Sequence, residues 1–300
     1  MFMPYKSLNE LITAAKARPK RRIAVAAAAD LHVLEAILKA CELNLIEPIL
    51  IGDEKKIIEI SASVGLKSNQ FQIISEPDPS FACSVAVSLI KNGKADILMK
   101  GMVPTAVLLK AVLSRENGLR KCETLSHFAL FQTSYYHKLI GISDAAMNIS
   151  PSLAEKVNII DNAVELMQKL GVKIPKVAIL GPLETVNEKI QSTLDAVRLT
   201  GMYKEKGIQN SLIYGPLALD NAVSREAALQ KGINSEVAGD ADILIAPDLN
   251  SGNILYKSLI FLSDGIAAAI ITGATVPIVL TSRADSDMNK LYSIALAAAL

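Results

Sequence analysis

A serine, an arginine and two aspartates stand close together after the last predicted strand of the chain. They are Ser282, Arg283, Asp285 and Asp287, and the strand before them is Pro277–Thr281. An arginine can bind phosphate through two parallel hydrogen bonds, and a carboxylate can accept the proton of an attacking nucleophile. The apolar residues that follow recur at helical spacing and predict a helix, whose N-terminus also favours an anion. This segment is therefore a candidate site for a phosphorylated substrate.

A second polar segment follows the predicted buried strand Asp242–Ala246. Asn250 or Ser251 is expected to cap the next helix, and Gly252 permits the backbone of that helix to approach a neighbour closely. Such a junction suits a phosphate or carboxylate, although an ordinary connector would have a similar pattern. The number of polar side chains favours a site. They are Asp248, Asn250, Ser251, Asn253, Tyr256 and Lys257.

Two lysines accompany a third junction of the same kind. Lys100 follows the predicted strand Asp96–Met99, Thr105 follows Pro104 at the start of a helix, and Lys110 lies further along that helix. Lysines beside a helix start can bind an anion, but they can equally be ordinary solvated side chains. The pattern therefore predicts a helix and leaves both interpretations of the lysines open.

A fourth polar segment follows the predicted strand Leu139–Ile142. Asp144 and Asn148 come directly after it, and Ser150-Pro151 is expected to start the next helix. Aspartate and asparagine are common turn residues because their side chains bond to nearby backbone amides. A place in a binding site and a role in the turn are equally compatible with the sequence.

The chain alternates short apolar runs with amphipathic helical patterns from Arg22 onward, as in parallel sheets with crossover helices. Its 300 residues, 51% of them hydrophobic, exceed what one compact domain usually holds. We therefore expect a two-domain α/β protein with parallel-type sheets and flanking helices. The expected division puts residues 1–124 and 275–300 in one domain and residues 125–274 in the other.

The composition argues against several classes of protein. The 31 basic and 30 acidic residues give a net charge of +1, which supplies no basic field for nucleic acid. The apolar stretch Gly265–Leu280 is too short and too interrupted to span a membrane, and the first residues do not have the pattern of a secretory signal. Three widely spaced cysteines fit reduced thiols. We expect a cytoplasmic protein.

The motifs that mark several enzyme classes are missing from the sequence. It contains neither G-x-G-x-x-G nor G-x-x-x-x-G-K-[ST], and no G-x-S-x-G surrounds Ser282. His32, His127 and His137 are separated along the chain, so each is expected to make local hydrogen bonds rather than to bind a metal. The chemistry that remains is anion binding by arginine, lysine and helix N-termini.

The chain contains five informative segments, at residues 100–113, 143–152, 215–224, 237–259 and 277–286. Together they resemble the phosphate acetyl/butyryltransferase family, and its butyryl branch in particular. The resemblance runs from about Ile23 to the end of the chain and implies reversible transfer of an acyl group between coenzyme A and inorganic phosphate. It also implies an isopropylmalate dehydrogenase-like fold, a site in the interdomain cleft, a homodimer and no bound cofactor, coenzyme A being a substrate. The segments are KGMVPTAVLLKAVL (100–113), SDAAMNISPS (143–152), GPLALDNAVS (215–224), VAGDADILIAPDLNSGNILYKSL (237–259) and PIVLTSRADS (277–286).

The resemblance assigns roles to individual residues. Ser282 is expected to orient the thiol of coenzyme A and Arg283 to hold phosphate, while Lys110 occupies a position where the acetyl branch has arginine. A thiol is mostly protonated at neutral pH, so a positive field or a nearby base would assist its attack. The expected substrate- or phosphate-binding residues are Lys100, Thr105, Lys110, Asp144, Asn253 and Lys257.

The chain departs from the acetyl branch at two positions. Ile260 stands where that branch has another arginine, which makes Ile260 a candidate for the acyl pocket. Asn289 stands where that branch has its proposed catalytic aspartate, so Asp285 or Asp287 is the candidate base.

Three other functions remain open from the sequence. One is a phosphate acetyltransferase that uses acetyl-CoA, and the second is a metal- and nicotinamide-dependent dehydrogenase of similar fold. The third is a sensor that binds coenzyme A or an acyl phosphate without turnover.

Overall fold

The structure is a computed structural model that describes residues 5–205, 210–280 and 286–300. Ser282, Arg283 and Asp285 lie outside the described residues. The chain divides into two compact units. The first unit comprises Leu8–Cys122 and Ala268–Leu300, and the second comprises Met1–Ser7 and Glu123–Ala267. The chain thus returns to the first unit at its end, and the assignment of functional domains to residues 1–124 with 275–300 and to 125–274 stays a prediction.

The first unit is built on a sheet with the strand order β3-β2-β1-β4-β11-β10. Neighbouring strands are parallel except β10 and β11, which are antiparallel. The strands are β1 (Arg21–Ala26), β2 (Ile46–Gly52), β3 (Gln72–Ser75), β4 (Ile97–Lys100), β10 (Ile266–Thr272) and β11 (Ile278–Val279). The helices are α1 (Leu8–Lys16), α2 (Leu31–Glu42), α3 (Glu54–Val64), α4 (Pro79–Lys91), α5 (Thr105–Val112) and α11 (Asp287–Ala298), with a 3₁₀ turn at Ser68–Gln70.

Aspartates start three successive helices of the first unit. Asp30, Asp53 and Asp78 follow β1, β2 and β3, and each carboxylate accepts a hydrogen bond from a backbone amide in the first turn of the next helix. An N-cap of this kind satisfies an amide that has no partner within the helix. The caps therefore define where each strand stops and each crossover helix begins.

The second unit contains a sheet with the strand order β5-β6-β9-β7-β8. β5 and β6 are antiparallel, and the other neighbours are parallel. The strands are β5 (Ser126–Gln132), β6 (Ile140–Ser143), β7 (Lys176–Leu180), β8 (Leu212–Leu217) and β9 (Ile243–Ile245). The helices are α6 (Leu153–Lys169), α7 (Gln191–Glu205), α8 (Leu219–Val223), α9 (Arg225–Gln230) and α10 (Leu249–Phe261).

The predicted α/β class with mostly parallel sheets and flanking helices is confirmed. The starts of α6 and α10 differ from the prediction. α6 begins after Ser152, whose hydroxyl accepts from the Glu155 amide while the Glu155 carboxylate accepts from the Ser152 amide. This capping box prevails over the predicted start at Ser150-Pro151. No described helix is long and apolar enough to cross a membrane.

A cluster of charges lies where β7 and β9 begin. Lys176 and Lys138 both make ion pairs with Asp240, and His137 Nε2 lies 2.8 Å from Asp240 Oδ1. Burial raises the pKa of the Asp240 carboxyl, but the hydrogen bonds from Lys176, Lys138 and His137 outweigh it and hold this pKa well below its usual range. The cluster therefore stabilises the ionised carboxylate in the folded protein.

This cluster predicts a loss of stability in acid. A carboxylate whose pKa is lowered by folding contributes stability above its unfolded pKa of about 4, and this contribution disappears as the pH falls through the lower, folded pKa. Asp240→Asn should therefore weaken the acid dependence of the free energy of unfolding, by about 1 kcal/mol at most because the site is partly exposed. Urea unfolding between neutral and acidic pH measures this. Glu188→Gln, a change at an exposed position, is the control, and equal acid dependence in both variants would contradict the prediction.

Candidate active site

The first unit places Lys100 at the carboxyl end of β4. Its side chain is half-buried, and its Nζ donates to the carbonyls of Gly101 (3.1 Å) and Val103 (3.3 Å). β11 runs parallel to β4 and pairs Val279 with Met99, so the chain leaves both strands at the same edge of the sheet. The lysine is thus anchored to the loop that leads into α5.

Gly101 brings this loop into contact with the end of β1. The amides of Gly101 and Met102 donate to the carbonyls of Ala26 and Ala27, and a Cβ built on Gly101 would lie 2.2 Å from the Ala27 oxygen. Ala27 has a positive φ of 55°, which is unusual for a residue with a side chain. The small residues after β1 therefore allow close packing of backbone against backbone.

Thr105 and Lys110 lie on α5. Thr105 is the first residue of the helix, and Pro104 precedes it in the N-cap position without a side-chain cap bond. Lys110 is in the last turn and is exposed. The predicted helix start at Pro104 is confirmed, while the roles of Thr105 and Lys110 in ligand binding stay predictions.

Asp287 is the first residue of α11, and Ser286 caps that helix by accepting from the Asn289 amide, as the sequence predicted. The Asp287 carboxylate lies 3.3 Å from Lys39 Nζ and 3.8 Å from Lys290 Nζ. Both contacts link the start of α11 to neighbouring side chains, because Lys39 belongs to α2 and Lys290 to α11 itself. The assignment of Asp287 as the base stays a prediction, as does that of Asp285.

The second unit places Asp144 directly after β6, where it is only 3% exposed. Its carboxylate accepts hydrogen bonds from the backbone amides of His127, Ala146, Met147 and Asn148, and also contacts the Asn148 side-chain amide. A carboxylate that accepts from several consecutive amides organises the loop 144–148, because it holds those amides around one point. These contacts support a role of Asp144 and Asn148 in the turn, while substrate binding by Asp144 stays a prediction.

The start of α10 rests on this loop. A Cβ built on Gly252 would lie 2.2 Å from the Asp144 carbonyl oxygen, and Asn253 Nδ2 donates to the Ala145 carbonyl at 3.1 Å. The cap of α10 is Asp248, which accepts from both the amide and the hydroxyl of Ser251. The predicted cap at Asn250 or Ser251 is therefore wrong by two or three residues, while the predicted close approach at Gly252 is present.

Tyr256 holds the middle of α10 against β5. Its ring forms T-shaped contacts with the rings of His127 and Phe131, whose centroids lie 5.8 Å and 5.2 Å from its own. Such support matters because Gly252 is the one buried residue among those of α10. Lys257 is exposed and Ile260 is half-exposed, so both have side chains that a ligand could contact.

His127 is a buried residue that the sequence did not indicate. It is 6% exposed, and its Nδ1 has no hydrogen-bond partner among the described residues. Burial lowers the pKa of the imidazole, and the nearby Asp144 carboxylate opposes that shift only in part. His127 is therefore neutral at pH 7. The sequence predicted a hydrogen-bonding or surface histidine here, and the burial of the ring corrects that prediction.

Two cysteines are unsuited to nucleophilic catalysis. Burial raises the pKa of both the Cys41 and the Cys83 thiol to about 11. A thiol is nucleophilic as the thiolate, so both groups are unreactive at neutral pH. Acyl transfer through either of these side chains is disfavoured, and direct attack by a thiol substrate is the simpler chemistry.

Each unit thus gathers polar groups at the carboxyl edge of its sheet, where α/β proteins bind ligands. In the first unit these are Lys100 and the start of α5, and in the second they are Asn253 and the start of α10. Helix N-termini and ammonium groups attract phosphate, and amide donors can stabilise a developing oxyanion. This set of groups is that of a protein that handles an anionic substrate.

Solved structures that share this fold include phosphotransacylases and a dehydrogenase. A branched-chain phosphotransacylase from Enterococcus faecalis V583 superposes with a TM-score of 0.84 at 33% identity, covering 93% of this chain and 98% of that one. A 4-hydroxythreonine-4-phosphate dehydrogenase from Burkholderia phymatum also superposes, with a TM-score of 0.58 over 94% of this chain and 98% of that one. Its identity of 13% shows a shared fold alone. The predicted dehydrogenase-like fold is confirmed.

Sequence comparison agrees with the fold. Residues 78–298 match the family model for phosphate acetyl/butaryl transferase. A probable phosphate butyryltransferase of Bacillus subtilis (strain 168) is 48% identical over 97% of this chain and 96% of its own length. A phosphate acetyltransferase of Thermotoga maritima is 43% identical over 97% of this chain and 98% of its own length. The chain therefore belongs to the phosphate acetyl/butaryl transferase family, and it is an enzyme of the phosphate acyltransferase type.

The contact at Gly252 predicts a loss of activity when a methyl group is added there. Gly252→Ala should push the start of α10 away from the Asp144 carbonyl and cost about 1–3 kcal/mol in the free energy of unfolding. The same shift should lower kcat/KM, because Asn253 and Tyr256 move with the helix. Urea unfolding and steady-state kinetics measure the two effects.

Gly201→Ala is the matched control for this experiment. Gly201 also lies within a helix, but a Cβ there meets no atom within 4 Å. Alanine should therefore stabilise that helix by about 0.5–1 kcal/mol. Similar unfolding midpoints for the two variants would show that the contact at Gly252 is unimportant.

Proposed function

We propose that this protein transfers a short-chain acyl group, preferably butyryl or an acyl group of similar size, between coenzyme A and inorganic phosphate. Membership of the family over residues 78–298 is the observation that carries the proposal. The 48% identity to a protein named as a probable phosphate butyryltransferase supports the preference. Sequence identity alone distinguishes butyryl from acetyl transfer poorly, since a protein named phosphate acetyltransferase is 43% identical.

The reaction needs a thiol to attack the acyl carbon of an acyl phosphate. A C–S bond forms, the C–O bond to phosphate breaks, inorganic phosphate leaves, and the thiol proton passes to a base. We assign Ser282 to orienting the thiol, Arg283 to holding phosphate, and Asp285 or Asp287 to accepting the proton. The reverse reaction uses the same groups, with phosphate as the nucleophile.

Cationic and amide groups would supply most of the catalysis in this scheme. Lys100 and Lys110 would add positive charge near the phosphate, with Thr105, Asn253 and Lys257 as further donors and Asp144 holding its loop in place. Donors aimed at the oxyanion of a tetrahedral intermediate contribute about 3–4 kcal/mol in acyl-transfer enzymes. The scheme uses coenzyme A as a substrate and assigns no bound cofactor.

We further propose that the active protein is a cytoplasmic homodimer. Cys41, Cys83 and Cys122, all within the described residues, form no disulfide, which fits a reducing compartment. Phe261 and Leu262, 67% and 85% exposed, are large apolar side chains at the end of α10 that a second copy could cover. Sedimentation of the purified protein as a monomer would contradict the dimer.

The arginine assigned to phosphate gives a direct test of the site. Arg283→Ala should lower kcat/KM for phosphate-dependent release of thiol from butyryl-CoA by about 100-fold or more, with the unfolding midpoint almost unchanged. Arg115→Ala removes an exposed arginine of the first unit and is the control. Wild-type activity in Arg283→Ala would remove this residue from the site.

The acyl preference is tested by kinetics with a series of thioesters. Each methylene buried in an apolar pocket contributes roughly 1 kcal/mol, so kcat/KM for butyryl-CoA should exceed that for acetyl-CoA roughly ten- to a thousand-fold. If Ile260 lines the acyl pocket, Ile260→Arg should reduce that ratio. A wild-type ratio at or below one would favour the acetyltransferase, while a normal ratio in Ile260→Arg would place Ile260 outside the pocket.

A further inference from the structure

Three side chains with metal-binding groups converge on two helices of the first unit. His32 and Glu35 are the second and fifth residues of α2, and Asp287 is the first residue of α11. One ligand atom from each lies within 4.8 Å of the other two, and His32 Nδ1 is 3.2 Å from Glu35 Oε2. An imidazole and two carboxylates form a donor set that zinc and other first-row divalent ions accept.

The spacing suits one ion. Zinc binds nitrogen and oxygen donors at about 2.0–2.2 Å, so neighbouring donors around a tetrahedral ion lie roughly 3.3–3.6 Å apart. The imidazole and the Glu35 carboxylate already have nearly this separation. The Asp287 side chain is 40% exposed and can rotate to bring the third donor in. Water can fill the fourth position because the His32 side chain is 59% exposed.

The backbone positions of the three ligands are fixed before any ion binds. Asp30 caps α2 and Ser286 caps α11 through hydrogen bonds to amides in the first turn of each helix. A fixed backbone reduces the conformational entropy that ligands lose when they bind a metal. An ion held here would link the beginning of α2 to the beginning of α11.

Two lysines compete with a metal for Asp287. Lys39 Nζ lies 3.3 Å from Oδ2 and Lys290 Nζ lies 3.8 Å from Oδ1. The Lys39 side chain is 41% exposed and can move into water, whereas Lys290 is 4% exposed. Lys39 is therefore the group that an arriving cation would displace, and its charge should weaken metal binding.

We propose that His32, Glu35 and Asp287 bind one divalent transition-metal ion of the zinc class, which links α2 to α11. The ion would hold Asp287, the first residue of the helix that follows Ser282 and Arg283 in the sequence. The proposal concerns binding and stability, and an ion on Asp287 would leave Asp285 as the candidate base of the proposed reaction. It assigns to His32 a role that its isolated position in the sequence did not indicate.

Titration of the full-length protein with Zn²⁺ by calorimetry tests the proposal. Wild type should bind one ion per chain at the site, His32→Ala and Glu35→Gln should each bind at least tenfold more weakly, and Lys39→Gln should bind more tightly. The melting temperature should rise with Zn²⁺ in wild type and much less in His32→Ala. Absence of binding in wild type, or equal binding by wild type and His32→Ala, would overturn the proposal.

His137→Ala is the matched control. His137 has the same side-chain exposure of 59% and also lies against a carboxylate, that of Asp240, but it belongs to no three-ligand group among the described residues. Its removal should leave Zn²⁺ binding unchanged. A parallel titration with Co²⁺ tests whether the cysteines bind the ion instead. A thiolate-to-cobalt charge-transfer band in the near ultraviolet would show that they do, and would overturn the proposal.

Discussion

The carboxylate of Asp144 is the interaction on which the functional edge of the second unit depends. It binds four backbone amides and so fixes the loop whose carbonyls, at residues 144 and 145, meet α10. The buried His127 amide alone would cost about 1–3 kcal/mol if it were left unpaired. Because α10 buries little of its own surface, this loop and the ring of Tyr256 determine where the helix lies. The positions of Asn253 and Lys257 follow from that placement.

Glycine has the same role in both units. Gly101 lets the loop after β4 lie against the end of β1, and Gly252 lets α10 lie against the loop after β6. In each case a side chain would collide with a backbone oxygen at 2.2 Å. A backbone oxygen cannot move aside as a flexible side chain can, so these two positions require glycine for reasons of space. Close packing of this kind brings polar loops and helix starts together at the carboxyl edge of each sheet.

The amino-terminal edges of the sheets contain charges with a different role. Arg22 and Asp96 pair at 2.8 Å beside the start of β1, and Lys138 bridges Asp240 and Asp242 beside the start of β9. These ion pairs connect one strand or loop to the next and leave the carboxyl edges for ligand chemistry. A charged cluster in this fold can therefore stabilise the structure without taking part in catalysis.

Most of the fold could be predicted from the alternation of strands and helices, because buried strands and amphipathic helices have distinct periods. The cap of α2 is simple to assign, because Asp30 is the one capping residue between β1 and that helix. The prediction failed after β9, where Asp248, Asn250 and Ser251 are all good caps and only the tertiary contact at Gly252 selects among them. The capping box Ser152-x-x-Glu155 was readable in the sequence and was a better guide than Ser150-Pro151.

The candidate site could be predicted only in part. The five short segments indicated the family because their combination, in that order along the chain, is specific. Local sequence could not show that Asp144 would be surrounded by amides, that His127 would be buried, or that Asp287 would meet Lys39 and His32. These are contacts between residues far apart in the chain, and the topology of each unit brings them together.

The central claim is that this chain exchanges coenzyme A for phosphate on an acyl group. The most direct measurement is to incubate the purified protein with butyryl-CoA and inorganic phosphate and to determine both products, the thiol with a thiol reagent and the acyl phosphate as its hydroxamate. The account predicts equal amounts of free coenzyme A and butyryl phosphate, formed without nicotinamide and equally with or without a chelator. Thiol release without acyl phosphate, or turnover that needs a nicotinamide and a metal ion, would contradict it.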